Sequence, residues 1–357
     1  MKKYSNILRA VLTGILILFF SFCVSSPNAG TEPKTSVKTD SKGTPNWFLD
    51  LNSGFPEKDF LAVIGEGDTR RDAESDAAGA LSRIFMSDIS VESTAMMRYA
   101  ELSSPTKAES STETSVEKTV NIGSNQSLFN IQYSDPYTDN VGRLHIVGYL
   151  DRKATARIYR EKIDANSERV SSFLENMKKS DSIINKYAFI DAAVLFAKNN
   201  DVLMSQLVIV YEPMTKMLDL PYRTQDLIKL YTEIAAQMRF EIKIENDFDG
   251  KITKMVSFIL NERGFSVAQG KGNLTISGDV ELQDAQLNNK FENIRWYLAL
   301  QMKDEKGSIL VSFNKNQRES AVSRPEAIAG SYRQMEKMVK AEFIGQFIKY
   351  LDGIILK

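Results

Sequence analysis

Residue types that most often carry chemistry are scarce in this chain. Its 357 residues include one cysteine, Cys23, and one histidine, His145. Zinc sites built on Cys and His, Cys-His nucleophiles and disulfide scaffolds each need a partner that the sequence lacks. A Ser-His-Asp triad would have to use His145, and no Gly-x-Ser-x-Gly elbow supplies its serine. Carboxylates, hydroxyls and lysines remain, and every Asp/Glu pair falls on an expected polar face or turn. The chain is therefore expected not to be an enzyme, with no catalytic, cofactor-binding or metal-binding residue and no cofactor.

Four local patterns could still hold a ligand. Gly65-x-Gly67, between an apolar run and a helix, could cradle a phosphate at the helix amino terminus. Arg70 stands where a third glycine belongs, and Glu66 and Asp68 put negative charge where the anion would sit, so a tight strand-to-helix turn is expected. Asp135-Pro-Tyr-Thr-Asp139-Asn-Val-Gly142 could bind a cation but has the composition of an ordinary turn. His145 alternates with Leu144 and Ile146, which places it at the surface or an interface rather than in a ligand set. Asp247-Phe-Asp249-Gly250 has the look of a calcium loop. The position that should carry its bidentate glutamate is Val256, on the apolar stripe of a helix, so no calcium site is assigned.

Cys23 is the residue with a definite chemical expectation. Lys2, Lys3 and Arg9 precede an apolar stretch over residues 10–24, which is the charge and length profile of an export signal rather than of a spanning helix. A cysteine at the edge of such a stretch is where bacterial lipoproteins are cleaved and acylated. Phe22 and Phe20 depart from the usual small residue and leucine, and ordinary cleavage after Ser26 or Ala29 is the competing reading. With lipidation at Cys23, two or three acyl chains would hold the protein stably to a membrane. Val24 is not the aspartate associated with inner-membrane retention, which points to the outer membrane. Residues 24–44 are rich in Ser, Thr, Pro, Lys and Gly, as a flexible tether would be.

The remainder must fold. Apolar residues make up 43% and charged residues 25%, a globular profile that excludes wholesale disorder. Lys plus Arg number 45 against 46 Asp plus Glu, so no global field calls for nucleic acid. The first unit, residues 45–152, opens with an expected buried strand from Leu61 to Ile64. Gly65 and Gly67 can take backbone angles closed to other residues. Thr69 with Asp72 makes a capping box for a helix whose inner face is Ala73, Ala77, Ala80, Leu81, Ile84 and Phe85. The Ser-, Thr- and Glu-rich stretch 103–127 is expected as either a mobile loop or an exposed polar hairpin, with Val116, Val120 and Ile122 favouring the hairpin.

Residues 153–220 lack early helix breakers and place Ile158, Ile163, Val170, Leu174 and Met177 on one face, then Ile184, Tyr187, Ala188, Ala192, Leu195 and Phe196 on another. This predicts an antiparallel helical hairpin turning at residues 180–182. The apolar run 203–211, ending at Pro213, is either more helix or a strand. In residues 221–357, Phe240, Ile242 and Ile244 alternate with charged residues, and further strands are expected around Leu274 and Ile276, Val280 and Leu282, Trp296 to Met302, and Ile309 to Phe313. Gly264 suits a helix C-cap, and Ser323-Arg-Pro-Glu326 reads as a capping box for a long last helix. The order βαββββα predicts an antiparallel sheet with helices on one face. The whole is α+β: two α/β sandwich-like domains with mainly antiparallel sheets, bridged by a helical hairpin.

Pro45, Trp47, Ala62-Val-Ile-Gly-Glu-Gly67, the alanine-spaced helix and Gly142-Arg-Leu-His-Ile-Val-Gly-Tyr-Leu150 together resemble the Lpp-twenty family of bacterial envelope lipoproteins. More distantly they resemble the amino-terminal domain of the flagellar T-ring protein. The resemblance spans residues 45–155. It implies an exported, membrane-tethered α+β domain and brings no enzyme chemistry. The expectation is a non-catalytic interaction or assembly component, bound to a membrane through its lipid and to an envelope protein, with no nucleic acid. The alternative is a periplasmic protein that binds a small molecule or lipid, which predicts a deep apolar pocket between domains.

Overall fold

A computed structural model describes residues 43–85, 93–104, 120–122, 126–287 and 290–357. The leader, Cys23, Val116 and nearly all of the tether lie outside these residues. The fold is α+β, as expected. Asn46–Leu49 (α1) and Leu51–Gly54 (α2) lead to Phe60–Gly67 (β1) and Arg70–Ile84 (α3), followed by Ser93–Ser103 (α4). Val120–Ile122 (β2) and Gln126–Leu128 (β3) form an antiparallel pair within the expected hairpin region. Gln132–Tyr133 (β4), Tyr137–Thr138 (β5) and Leu144–Asp151 (β6) complete the first unit. Central β6 pairs antiparallel with β1 on one side and with β4 and β5 on the other.

Gly65 and Gly67 do not form a special turn. Both stay within β1 and neither has positive φ. A Cβ on Gly65 would stand 2.3 Å from the Ala73 carbonyl oxygen and 2.4 Å from the Ala77 nitrogen, so the missing side chain is what lets α3 lie against the strand. The face that α3 buries is Ala73, Ala77, Ala78, Leu81 and Phe85, with Ala80 half-buried and Ile84 40% exposed. The strand expected to be buried is half-buried, with Ile64 37% exposed, because β1 is a sheet edge. Thr69 caps α3: its hydroxyl accepts from the Asp72 amide at 3.2 Å and donates to the Asp72 carboxylate at 2.7 Å.

Arg152–Lys179 (α5) and Ile183–Thr215 (α6) are the predicted hairpin. The open stretch 203–211 continues α6, which breaks at Tyr211, two residues before Pro213. Pro213 has no N–H for the Ile209 carbonyl. Arg152 supplies the replacement, its Nη1 donating to the carbonyls of Ile209 and Val210 at 2.8 Å each. By length and composition α6 could cross a membrane, yet it is mostly buried in this fold. Its first half, with Tyr187, Ala188 and Phe196, packs in the carboxy-terminal core. Its second half, with Leu203, Leu207 and Val210, packs with Leu81, Phe85 and Ile131 of the amino-terminal unit and with Tyr159 of α5.

The last unit runs Thr224–Gln237 (α7), Arg239–Glu245 (β7), Lys251–Glu262 (α8), Ser266–Val267 (β8), Leu274–Asp284 (β9), Glu292–Asp304 (β10) and Ile309–Ala321 (β11). It ends in Arg324–Met338 (α9), a π turn at Val339–Phe343, and Ile344–Ile355 (α10). The sheet order is β11-β10-β9-β7-β8. It is mixed rather than antiparallel throughout: β7 lies parallel to β8 and β9, because α8 is a crossover that returns the chain in the same direction. The two short strands expected at Leu274 and Val280 are one strand, β9, which passes through Gly278. There a Cβ would stand 2.3 Å from the Ala299 carbonyl oxygen. Gly264 caps α8 as expected, with φ +78 and the Phe265 amide bonded to the Leu260 carbonyl. Ser323 sits at the N-cap of α9 without a side-chain bond, so the second capping box is not formed.

Candidate functional site

The structure distributes the sequence candidates rather than gathering them. Asp139 closes its turn by accepting from the amides of Val141 (3.0 Å) and Arg143 (2.9 Å), and its second oxygen meets His145 Nε2 at 3.0 Å. That His145 hydrogen bond, followed by the Arg143 amide, holds the Asp139 carboxyl below the usual range. His145 is therefore buried, not at the surface. It points away from Ile146 as alternation required, but α1 covers that side too, with Phe48 4.8 Å away ring to ring. Asp247 accepts from the amides of Ile252 and Thr253 at 3.0 and 2.8 Å, so it caps α8 instead of offering a metal ligand. Among the described residues no group of three His, Cys, Asp or Glu side chains could hold a metal ion.

What the fold does bring together is a cluster that sequence pattern signalled only faintly. Arg98 of α4 donates from Nη1 to Asp191 of α6 at 2.5 Å, and from Nε and Nη2 to Asp352 of α10 at 2.8 and 2.6 Å. All three side chains are less than a fifth exposed. Burial disfavours the charged Arg98, but Asp191 and Asp352 outweigh it and keep the guanidinium protonated. Burial pushes the Asp191 carboxyl up, against the pull of Arg98. Next to it, the Tyr187 and Tyr231 hydroxyls meet at 2.8 Å, and burial together with Asp191 raises both phenols.

A second part of the cluster sits at the waist of the hairpin. Tyr99 donates to Asn166 Oδ1 at 3.0 Å, Asn166 Nδ2 to Asn200 Oδ1 at 2.8 Å, and Asn200 Nδ2 to the Ile163 carbonyl, Ser167 and Tyr222. Arg169 donates to the Leu102 and Ser103 carbonyls at 3.0 and 3.1 Å, which satisfies the last turn of α4. Thus α4, within the first unit by sequence, is fastened to the hairpin and to the last helix. The side chains of Tyr99, Asn166, Ser167, Asn200 and Tyr222 are joined in one run of hydrogen bonds, while the Ser103 hydroxyl beside it is buried without a partner.

The adjoining surface has a broad hollow of about 740 Å³ bordered by Lys198, Tyr231, Thr232, Glu262, Arg263 and Lys340. Lys340 bridges Glu262 and Glu336 at 3.4 Å each. The lining is polar and charged, unlike the deep apolar pocket that a lipid carrier requires. Tyr231 is the cluster residue that reaches this hollow, and its hydroxyl is engaged with Tyr187 and held protonated. The arrangement fastens helices; it does not present a poised base to a cavity.

No protein-family model matches the chain, and no curated protein matches it. Among solved structures the likenesses are weak and partial. They include the secreted protein HP1454 from Helicobacter pylori, 11% identical with a TM-score of 0.40, covering 80% of this chain and 100% of that one. They also include a minor lipoprotein from Acinetobacter baumannii, 12% identical with a TM-score of 0.24, covering 29% of this chain and 94% of that one. The rare lipoprotein B from Shewanella oneidensis is 14% identical with a TM-score of 0.20, covering 33% of this chain and 90% of that one.

Proposed function

We propose that this protein is an envelope lipoprotein, anchored through Cys23, whose folded body serves as a non-catalytic interaction or assembly component at the outer membrane. The leader, Cys23 and the tether support the anchored half of this reading. The observation that carries the assembly half is that α6 contributes to both cores and so joins the two larger sheets. Among the described residues β1 and the 13-residue β11 each stand at a sheet edge. Such edges recruit partners by strand addition.

A photo-crosslinker placed at Ile64 or at Asn316 in cells tests the assembly half. The expected result is one adduct of discrete mass from at least one edge, recovered with the protein from solubilised envelopes. Recovery of the protein without any adduct, but with a stoichiometric small molecule, would favour a binding protein instead.

A further inference from the structure

Strand β11 ends the carboxy-terminal sheet on the side away from β8. From Val311 to Ala321 it keeps a one-to-one register with β10, the shift at Met302/Lys303 lying before this stretch, and it contains neither proline nor glycine. The direction of its backbone groups follows from one bond beyond the end of β9. The Ala285 amide donates to the Asn293 carbonyl at 2.8 Å, so Asn293 faces β9 and, by alternation, Ile294, Trp296, Leu298 and Leu300 face β11. Their opposites Glu319, Gln317, Lys315 and Phe313 are the residues of β11 bonded to β10. The amides and carbonyls of Ser312, Asn314, Asn316, Arg318 and Ser320 therefore point out from the sheet edge, where the described residues supply no further strand.

We propose that the β11 edge pairs with the same edge of a second copy of this chain, antiparallel about Gln317, a proposal that rests on the assembly reading above and names its partner. Edge strands are commonly blunted by charge, and β11 carries Lys315, Arg318 and Glu319. About Gln317 these charges cancel. Lys315 lies opposite Glu319 of the second copy, and Glu319 opposite its Lys315, in the non-hydrogen-bonded positions where side chains come closest. Asn316 meets Arg318 and Asn314 meets Ser320 through the outward backbone groups. Neighbouring centres fail: Lys315 would sit on Lys315, Arg318 on Arg318, or, about Asn316, Glu319 on Phe313. The two charges are available. Glu319 makes no ion pair among the described residues, and Lys315, 38% exposed, reaches Glu342 at 2.7 Å with room for a second carboxylate. The pairing is isologous and closes at two copies. Strand β1 has no such match, being eight residues long with Gly65 and Gly67 inside it and its Glu66 held by Arg143 at 3.3 Å.

The test traps the pair in cells. Full-length chains carrying Q317C or N314C, at native abundance, are oxidised with copper phenanthroline, and the parent chain, whose sole cysteine is Cys23, is the blank. About the proposed axis the two 317 positions have Cα atoms about 4.5 Å apart, within disulfide reach, whereas the two 314 positions are roughly 20 Å apart. The expected result is a disulfide-linked dimer from Q317C, none beyond the blank from N314C, and a yield about tenfold lower when E319K is added to Q317C with circular dichroism unchanged. Q317C that stays monomeric, or N314C that links as fast as Q317C, would overturn the proposal. The photo-crosslinker at Asn316 separates the two readings. An adduct to a different protein refutes the second copy and keeps the assembly reading; no intermolecular adduct from Asn316 or Ile64, with Q317C monomeric, refutes both.

Discussion

The two larger sheets of this protein solve one packing problem in opposite ways. In the amino-terminal unit, Gly65, Gly67 and Gly148 face Ala73, Ala77 and Asp72 of α3, so helix and sheet meet nearly backbone to backbone. In the carboxy-terminal unit, Trp296, Leu298, Leu300 and Met302 of β10 meet Met335, Phe343 and Phe347 through deep side chains. The first arrangement has no volume to lose and fails when atoms are added. The second fails when they are removed. Each unit holds one tryptophan, Trp47 and Trp296, so single Trp→Phe backgrounds let each be followed separately.

The largest effect is expected in the carboxy-terminal core. Phe347→Ala should cost about 4 kcal/mol in urea unfolding followed through Trp296, and the Trp47 transition should move with it because α6 is shared. Gly65→Ala should cost about 3 kcal/mol and move both transitions together, because α6 joins the two cores. A smaller cost, about 2 kcal/mol, is expected for Asn200→Leu, which strips Asn166, Ser167 and Tyr222 of a partner. Its diagnostic feature is that the two tryptophan transitions, coincident in the parent, separate. The smallest effect is a pH dependence. The folded-state pKa of Asp139 is depressed, so its contribution is present above the unfolded value of about 3.9 and is lost as pH falls through the folded value. Asp139→Asn should flatten that acid-side loss in a series of thermal unfolding midpoints. An unchanged slope would remove His145–Asp139 from the account.

Sequence pattern carried the periodic parts of this fold and little of what joins them. The hairpin was visible because its apolar spacing repeats over many turns, and the alanines of α3 marked most of its inner face. Strand order left no such trace, so the parallel placement of β7 and the unbroken run of β9 through Gly278 emerge only in three dimensions. Alternation told which way His145 points but not that α1 covers that side of the sheet. Arg98, Asp191 and Asp352 are 93 and 161 residues apart along the chain, too far for local spacing to link them. Asp191 did leave a faint signal, lying one turn after Tyr187 inside an apolar run, as Asn200 lies one turn after Phe196. Polar residues on an apolar stripe were the clue to the cluster.

The central claim concerns the membrane, and intact-mass and peptide analysis of the mature amino terminus tests it most directly. The account predicts a chain that begins at Cys23 and carries the mass of two or three acyl chains. A chain that begins after Ser26 or Ala29 without lipid, or one that keeps residues 1–22, would contradict it.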